Sequence, residues 1–559
     1  MSSEERSINR APSLLASVTV FAFVATCVLW IGYDAAGGAL ESRSLIRRIG
    51  PVAAISLLSA IPILFFIRNA GAISVRLTEN IWRATAALPV LVGGLGALLA
   101  VWILRGFANS GDEYGYLFEA QTFLAGRLWL PLQPGQEFFS FFHIIESDGK
   151  LVSQYPPGWP AILAAFRAIG LPFWLVNPLL GTFLLLGLAK FCDREHGPVA
   201  GLAALAMAAT TPFFLFNAGS YFSHVSAALC GLSFCYFGRS FLDRPSWRPA
   251  AIAGAALGLL GTIRPFEVLF FAVPFAGELL LKGGWRHYFR LPVVALAGLP
   301  FLAALLYVNH AVTGDPLLLA QSWGNPLMHL GLYPVDEDGQ HYYTPLSSAL
   351  VAGHEIGELA KWTSPIFVLA CVPAFFLKWR RHKLRFHDFV FPAGILAYLL
   401  FYDAGGNRYG PRYYFDAWPL LVATVAWAFA ELFEKHGRRR ANAAALGLLA
   451  THVATAVAAF IVIAVVMRTV VDERMDIYDA VDRADIHHAV VIVRSGTGVL
   501  IPMGIGDLLR NGITRNGDVL YAKSLPGRDS ELRSLYPDRR FYAYERAASE
   551  TAGRLVPLD

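Results

Sequence analysis

Long apolar runs recur along this chain, and they commit it to one class of structure. About thirteen of them approach the roughly 17 to 25 residues that a helix needs to cross a hydrocarbon core of about 30 Å. They fall at 14–34, 51–68, 85–104, 172–190, 198–217, 222–239, 249–263, 266–281, 291–309, 362–378, 388–402, 416–433 and 442–467. Such segments must satisfy their backbone polar groups internally, so the expected fold is an α-helical polytopic membrane protein. Composition agrees: 55% of the 559 residues are hydrophobic and 16% are charged, and the mean hydropathy is +0.48. A net charge of +5 would suggest a nucleic-acid partner in a soluble chain. Here the basic residues cluster in short loops, which is a topology signal, and no nucleic acid is expected.

With the N-terminus cytoplasmic, the densest basic loops, 239–248, 282–290, 378–387 and 434–441, all lie inside, as the positive-inside rule requires. The loop 37–50, with Arg43, Arg47 and Arg48, runs against this, although removing the first two spans as a pair leaves the rest of the orientation intact. The first span is read as a retained anchor and no targeting peptide is expected. Four longer elements then share the outer face: 106–171, 310–361, 403–415 and the tail from about 470. The tail changes to strand-like runs such as His488-Ala489-Val490-Val491-Ile492-Val493. The expected division is a membrane domain over 1–469 and a small extracytoplasmic α/β domain over 470–559. All five cysteines fall in or beside apolar segments, so neither disulfides nor a zinc site is expected.

Ionisable residues at the ends of membrane helices are costly unless they face a wet cavity or a partner. Four groups meet that description. Asp112 and Glu113, with Tyr114 and Tyr116, follow the run 85–104. Paired acids can divide labour, one as a base and the other holding geometry, or they can simply be solvated. Tyr155-Pro156-Pro157-Gly158-Trp159-Pro160 fixes an extended chain and reads either as a helix stop or as a rigid closure over a lipid groove. Gly261-Thr262-Ile263-Arg264-Pro265-Phe266-Glu267 breaks an apolar run and leaves a guanidinium at the break, for an anion or for a hairpin-closing pair with Glu267. Asp403-Ala404-Gly405-Gly406-Asn407-Arg408-Tyr409-Gly410-Pro411-Arg412-Tyr413-Tyr414 offers Arg408, Arg412 and Tyr413 as a phosphate clamp or as an interfacial aromatic belt with snorkelling arginines. His224, at the outer end of a span, either touches a headgroup or is structural. Asp148 and Asp336-Glu337-Asp338 read as solvated loop acids, and His354 with Glu355 lacks a third ligand.

In their order and common sidedness, Asp112-Glu113, Tyr155-Pro156-Pro157-Gly158, Arg264-Pro265 and Tyr409-Gly410-Pro411-Arg412-Tyr413 resemble the GT-C superfamily of polyprenyl-phosphate-sugar glycosyltransferases. The likeness is to bacterial relatives of the dolichyl-phosphate-mannose protein mannosyltransferases and of the lipid A aminoarabinose transferase, and it runs from about 85 to the end. Two features depart from the family pattern: two apolar segments precede the span that leads into Asp112, and Tyr155 stands where some relatives carry a histidine or lysine.

The resemblance implies a bacterial inner-membrane enzyme that moves a sugar from a polyprenyl-phosphate carrier to an acceptor hydroxyl on a lipid, glycan or protein, with inversion. Asp112 would be the base and Glu113 would orient Asp112 or the acceptor. Arg264, Arg408 and Arg412 would meet the phosphate, with Tyr114, Tyr155, His224 and Tyr413 lining the substrate site. No cofactor is expected, and a divalent metal is not required where cations serve that role. Two other classes remain open from the sequence: a transporter or flippase for an anionic lipid, and a membrane scaffold.

Overall fold

The computed structural model describes residues 87–141, 143–324, 344–401, 408–434, 439–493, 508–525, 527–546 and 552–558. The runs 14–34 and 51–68, the acids Asp336, Glu337 and Asp338, and Asp403 lie outside them. Helix α1 (Ala87–Ile103) ends in a π-helical turn, Leu99–Ile103, and the chain then enters α2 (Gly111–Leu124) and α3 (Gly158–Ala168). Next come α4 (Phe173–His196), α5 (Pro198–Ala209), α6 (Pro212–Gly219) and α7 (His224–Asp243). They are followed by α8 (Trp247–Ile263), α9 (Val268–Lys282) and α10 (Trp285–Thr313). The last membrane elements are α11 (Pro345–Trp362), α12 (Pro365–Arg380), α13 (Val390–Tyr398), α14 (Trp418–Glu434) and α15 (Arg439–Arg483).

Among the described residues four helices are long and apolar enough to cross a membrane, namely α4, α7, α10 and the Ala445–Arg483 part of α15; they become six if the bent pairs α5–α6 and α11–α12 each count as one span. Of the thirteen runs read from the sequence, the first two lie outside the described residues, and several others form shorter or bent helices. The run 198–217 bends by 68° because Thr211 caps a new helix, accepting from Phe214 N–H, with Pro212 in its first turn. Ser364 and Pro365 do the same where α12 turns 116° from α11. The run 388–402 holds a 3-10 turn, Phe386–Phe389, and the nine residues of α13, too short to span.

Small residues set the closest helix packing. A Cβ on Gly254 of α8 would lie 2.0 Å from the Val294 carbonyl oxygen of α10, and one on Gly258 would lie 2.8 Å from Gly298 Cα. In lipid, where apolar burial gives no net drive, this Gly-x-x-x-Gly contact lets two backbones meet and gain dispersion energy.

The segment between α2 and α3 is structured. Strands β1 (Leu130–Pro131), β2 (Ile144–Ser147) and β3 (Lys150–Ser153) form an antiparallel sheet in the order β1-β3-β2. Asp148 and Gly149 both take positive φ between β2 and β3, the conformation a two-residue hairpin turn demands. Past the bundle, α15 runs unbroken for 45 residues, about 68 Å at the usual rise, and leads without a hinge at 469–470 into a second sheet. That sheet has β4 (Ala489–Val493), β5 (Val519–Lys523), β6 (Arg540–Glu545) and β7 (Arg554–Leu558) in the order β5-β4-β6-β7. The pairs β4–β5 and β4–β6 are parallel, and β7 is antiparallel to β6.

The tail does not build its core alone. Phe138 and Phe139, from the loop between β1 and β2, are fully buried among Val490, Ile492, Leu520, Ala522 and Leu532. Around them Arg515 donates to Gln136, Gln133 to Ile513 O at 2.9 Å and Lys523 to Ser140 at 2.6 Å. Arg105, after α1, ties the same assembly to α15 through Asp472 and Asp479 at 3.0 and 2.8 Å.

Candidate active site

The four sequence groups meet at one end of the bundle. Ser110 caps α2 by accepting from Glu113 N–H, which starts the helix at Gly111 and fixes the facing of the two acids. Residues four apart share a helix face and adjacent ones diverge. Asp112, Gly115 and Tyr116 accordingly face Tyr155, whereas Glu113 and Tyr114 turn away.

Asp112 is the hub. Its carboxylate pairs with both terminal nitrogens of Arg412, at 3.2 and 3.3 Å, and accepts from the Tyr155 hydroxyl at 2.7 Å. Gly115 makes room for that phenol, since a Cβ there would sit 2.7 Å from the Tyr155 ring. Burial opposes ionisation of Asp112, but the Arg412 charge, His143 and the Tyr155 hydrogen bond outweigh it and hold the carboxyl at about 2. Arg412 itself lies 4.4 Å from the centre of the Phe222 ring and 5.2 Å from that of Tyr413, and its buried Nε has no hydrogen-bond partner among the described residues.

Glu113 does not touch Asp112. One carboxylate oxygen accepts from Asn109 N–H and the other from Tyr221 N–H, each at 2.9 Å. The side chain thus pins the start of α2 to the α6–α7 turn. Burial dominates here and raises the carboxyl to about 7, against the two N–H donors and the charge of Arg408. The orienting role expected for Glu113 toward Asp112 or the acceptor is replaced in this geometry by a hold on two backbone segments. Tyr114 is likewise directed into an aromatic cluster, with ring centroids 6.1 Å from Phe107 and 5.4 Å from Phe141. Tyr116, whose hydroxyl lies 3.2 Å from Ser223 Oγ, takes the place expected for Tyr114.

Arg264 is also at the site but is already neutralised. It pairs with Glu267 and, at 2.8 Å, with Asp416, and it donates to the Tyr398 hydroxyl at 3.1 Å. The hairpin-closing reading of Arg264 and Glu267 is the one this geometry follows. His224, wholly buried, joins the cluster through Asp416 at 3.1 Å. Tyr413 connects the two arginines: its ring centre is 5.5 Å from the Arg264 guanidinium and stacks on Tyr398. Arg408 acts on Glu113 through its charge and stays apart from the Asp112 hub.

Asp416, Tyr398, Asn109 and His143 were not singled out in the sequence. Asp416 could have been, because an acid two residues before an apolar helix meets the criterion that selected Arg264. An apolar cavity of about 590 Å³ opens beside the site. Pro157 and Gly158 of the proline-rich turn and Thr262 of the helix break line it, with Phe301 and Ala304 of α10. Among the described residues no group of three or more His, Cys, Asp or Glu could hold a metal ion. The arrangement offers an ionised carboxylate and a guanidinium in direct contact, with an apolar cavity lined by Pro157 and Gly158, close in sequence to Tyr155.

No protein-family model matches the chain, and no curated protein sequence matches it. Solved structures do. The crystal structure of ArnT from Cupriavidus metallidurans bound to undecaprenyl phosphate superposes with a TM-score of 0.53 at 11% identity, over 84% of this chain and 97% of that one. The apo form of the same protein gives 0.46 at 11% identity over 78% and 88%. The Archaeoglobus fulgidus oligosaccharyltransferase, in complex with Zn and sulfate, gives 0.42 at 14% identity over 66% and 53%. The likeness to the undecaprenyl-phosphate-bound ArnT structure shows that this chain shares that protein's fold. That likeness spans most of both chains.

Proposed function

We propose that the protein is an integral membrane glycosyltransferase that moves a sugar from a polyprenyl-phosphate carrier to an acceptor hydroxyl, with inversion at the anomeric carbon. The observation that carries this reading is the contact of Asp112, Arg412 and Tyr155 beside an apolar groove. The fold's neighbour ArnT, bound to undecaprenyl phosphate, supports a polyprenyl-phosphate donor. The basic loops support a cytoplasmic N-terminus and, with it, a site on the extracytoplasmic side, here taken to be that of a bacterial inner membrane.

In the reaction the acceptor oxygen attacks the anomeric carbon while its proton passes to Asp112. The bond between that carbon and the phosphate oxygen breaks, and its electron pair leaves with the polyprenyl phosphate, whose growing charge Arg412 stabilises. A carboxyl held at about 2 is a weak base, and donor binding corrects this. A phosphate that recruits Arg412 withdraws the cation that depresses Asp112, so its pKa rises toward the range a general base needs. The donor thereby arms the base only when it is in place. Tyr413 borders the phosphate in this reading, Arg408 adds positive charge from the Glu113 side, and His224 with Arg264 fixes the wall behind it.

The test is transfer of radiolabelled sugar from a panel of polyprenyl-phosphate sugars to membrane extract, with purified wild type and Asp112→Asn side by side. Transfer by wild type that disappears in the variant is the expected result. Folded wild type that transfers nothing from any donor, in the presence of acceptor membranes, overturns the reading in favour of a lipid carrier.

A further inference from the structure

At the other end of the bundle, where α4, α7, α12 and α14 finish, lies a polar cavity of about 650 Å³. Helix α7 alone, with 20 residues between His224 and Asp243, separates it from the candidate active site by about 30 Å. Six cationic side chains line it, Arg194, Arg239, Arg244, Lys378, Lys383 and Arg385, against the carboxylates Glu195, Asp243 and Glu431.

Those carboxylates are already engaged. Glu195 holds Arg194 at 2.6 Å and Arg239 at 3.3 Å, Asp243 holds Arg239 at 2.6 Å, and Glu431 is paired with Arg381. Lys378, 1% exposed, forms the floor, fixed by Asp388 at 2.5 Å with His196 at 3.4 Å. Asp388 is in turn held by Thr424 and by Arg385 N–H, each at 2.8 Å. Behind this floor His387 is wholly buried, with neither ring nitrogen hydrogen-bonded among the described residues. Arg244, Lys383 and Arg385 have no ion pair among the described residues. Scattered basic residues at helix ends report only topology. Here they converge from separate segments on one concavity and leave three charges uncompensated, which is the arrangement that binds headgroup phosphates between membrane helices.

We propose that this cavity is a second ligand site, on the membrane face opposite the candidate active site, and that it takes a phosphate-bearing anion through Arg244, Lys383 and Arg385 over the Lys378 floor. The anion is either a phospholipid headgroup or a soluble phosphate compound, and binding there braces the ends of four helices whose beginnings form or adjoin the catalytic wall.

The experiment uses the full chain with two probes. Native mass spectrometry reads how much phosphatidylglycerol the protein keeps from mixed micelles, and thermal melting in neutral-lipid nanodiscs reads the effect of added pyrophosphate. The variants are the triple Arg244→Gln, Lys383→Gln, Arg385→Gln, the charge-conserving pair Lys383→Arg with Arg385→Lys, and Arg412→Gln as a marker for the other site. Retained phosphatidylglycerol that falls at least about tenfold in the triple variant, but persists in the charge-conserving pair and in Arg412→Gln, establishes a lipid site. A melting rise with pyrophosphate that follows the same pattern, without lipid retention, establishes a soluble phosphate ligand. Binding of neither probe by wild type, or equal binding by wild type and the triple variant, overturns the proposal. Should the triple variant fail to fold, loss of binding in Arg244→Gln alone supports the site, and unchanged binding there counts against it.

Discussion

Arg412 and Arg264 belong to adjoining clusters at the same end of the bundle, and both sit among aromatic rings, yet their charge balance differs. Arg412 faces one carboxylate and keeps a buried Nε unpartnered. Arg264 faces two, Glu267 and Asp416, and a phenol besides. The first pair is balanced one to one and can exchange its partner for an incoming phosphate. The second is saturated, and breaking it strands buried acids. A positive charge near a membrane interface is therefore not by itself an anion site; the count of acids around it decides.

The strongest way to break that contrast is at the hub. Asp112→Asn should lower transfer by at least about a hundredfold while donor binding, measured directly, persists. Next come the two arginines. Arg412→Gln should cost about 3 kcal/mol of transition-state stabilisation, roughly a hundredfold in kcat, with a modest change in melting. Arg264→Gln should instead lose about 3–5 kcal/mol of stability, because it leaves Glu267 and Asp416 buried without their cation. Thermal melting of the pair decides, and an Arg264→Gln protein as stable as wild type would refute the saturated-cluster reading.

Tyr155→Phe sharpens the comparison further. Removing a donor to an ionised group should lower kcat/KM by about tenfold. Because that donor helps depress Asp112, the acidic limb of the pH profile should move to higher pH.

The smallest effect concerns stability. Folded Asp112 stays ionised down to about 2, against 3.8 for an ordinary aspartate, so its stabilising contribution is complete above 3.8 and disappears as pH falls through 2. Folded Glu113 keeps its proton to about 7, against 4.5. The folded state therefore binds more protons than the unfolded one between these values, and stability falls as pH rises from 4.5 to 7. Melting curves of Glu113→Gln should lack that decline. They should also show about 1–3 kcal/mol of overall loss, since one of the two backbone N–H groups forfeits its acceptor.

Much of this was readable in advance. Apolar run length announced membrane helices, and Asp112, Tyr155 and Arg412 were each singled out by charge or proline at an apolar boundary before the fold joined them. The facing of Tyr114 was not legible: without the Ser110 cap the start of α2 is unknown, and with it the helix phase that turns Tyr116 toward Tyr155 and Tyr114 toward Phe107 and Phe141. Arg264 was ambiguous because its second acid, Asp416, is distant in sequence and met only through folding. The bend at Thr211 was visible as a Thr-Pro dipeptide, but the length of the run 198–217 overrode it; the helix Pro345–Trp362 before the Ser364 bend was too polar to stand out from the outer loop 310–361. No local pattern could show that Phe138 and Phe139 serve the tail.

That last contact ties the loop beside the site to strands far downstream in the chain. The loop carrying Phe138 and Phe139 emerges between Asp112 and Tyr155, but the strands that receive it follow much later; Gln133 and its partner Ile513 are 380 residues apart. Until those strands arrive, two phenylalanines remain without their pocket and the segment joining the acid to its phenol has nothing to anchor it. A nascent or truncated chain would carry the reactive residues without holding them in register. The tail sheet thus anchors the segment that joins Asp112 to Tyr155, so that residues distant in sequence hold the two ends of the hub in one frame.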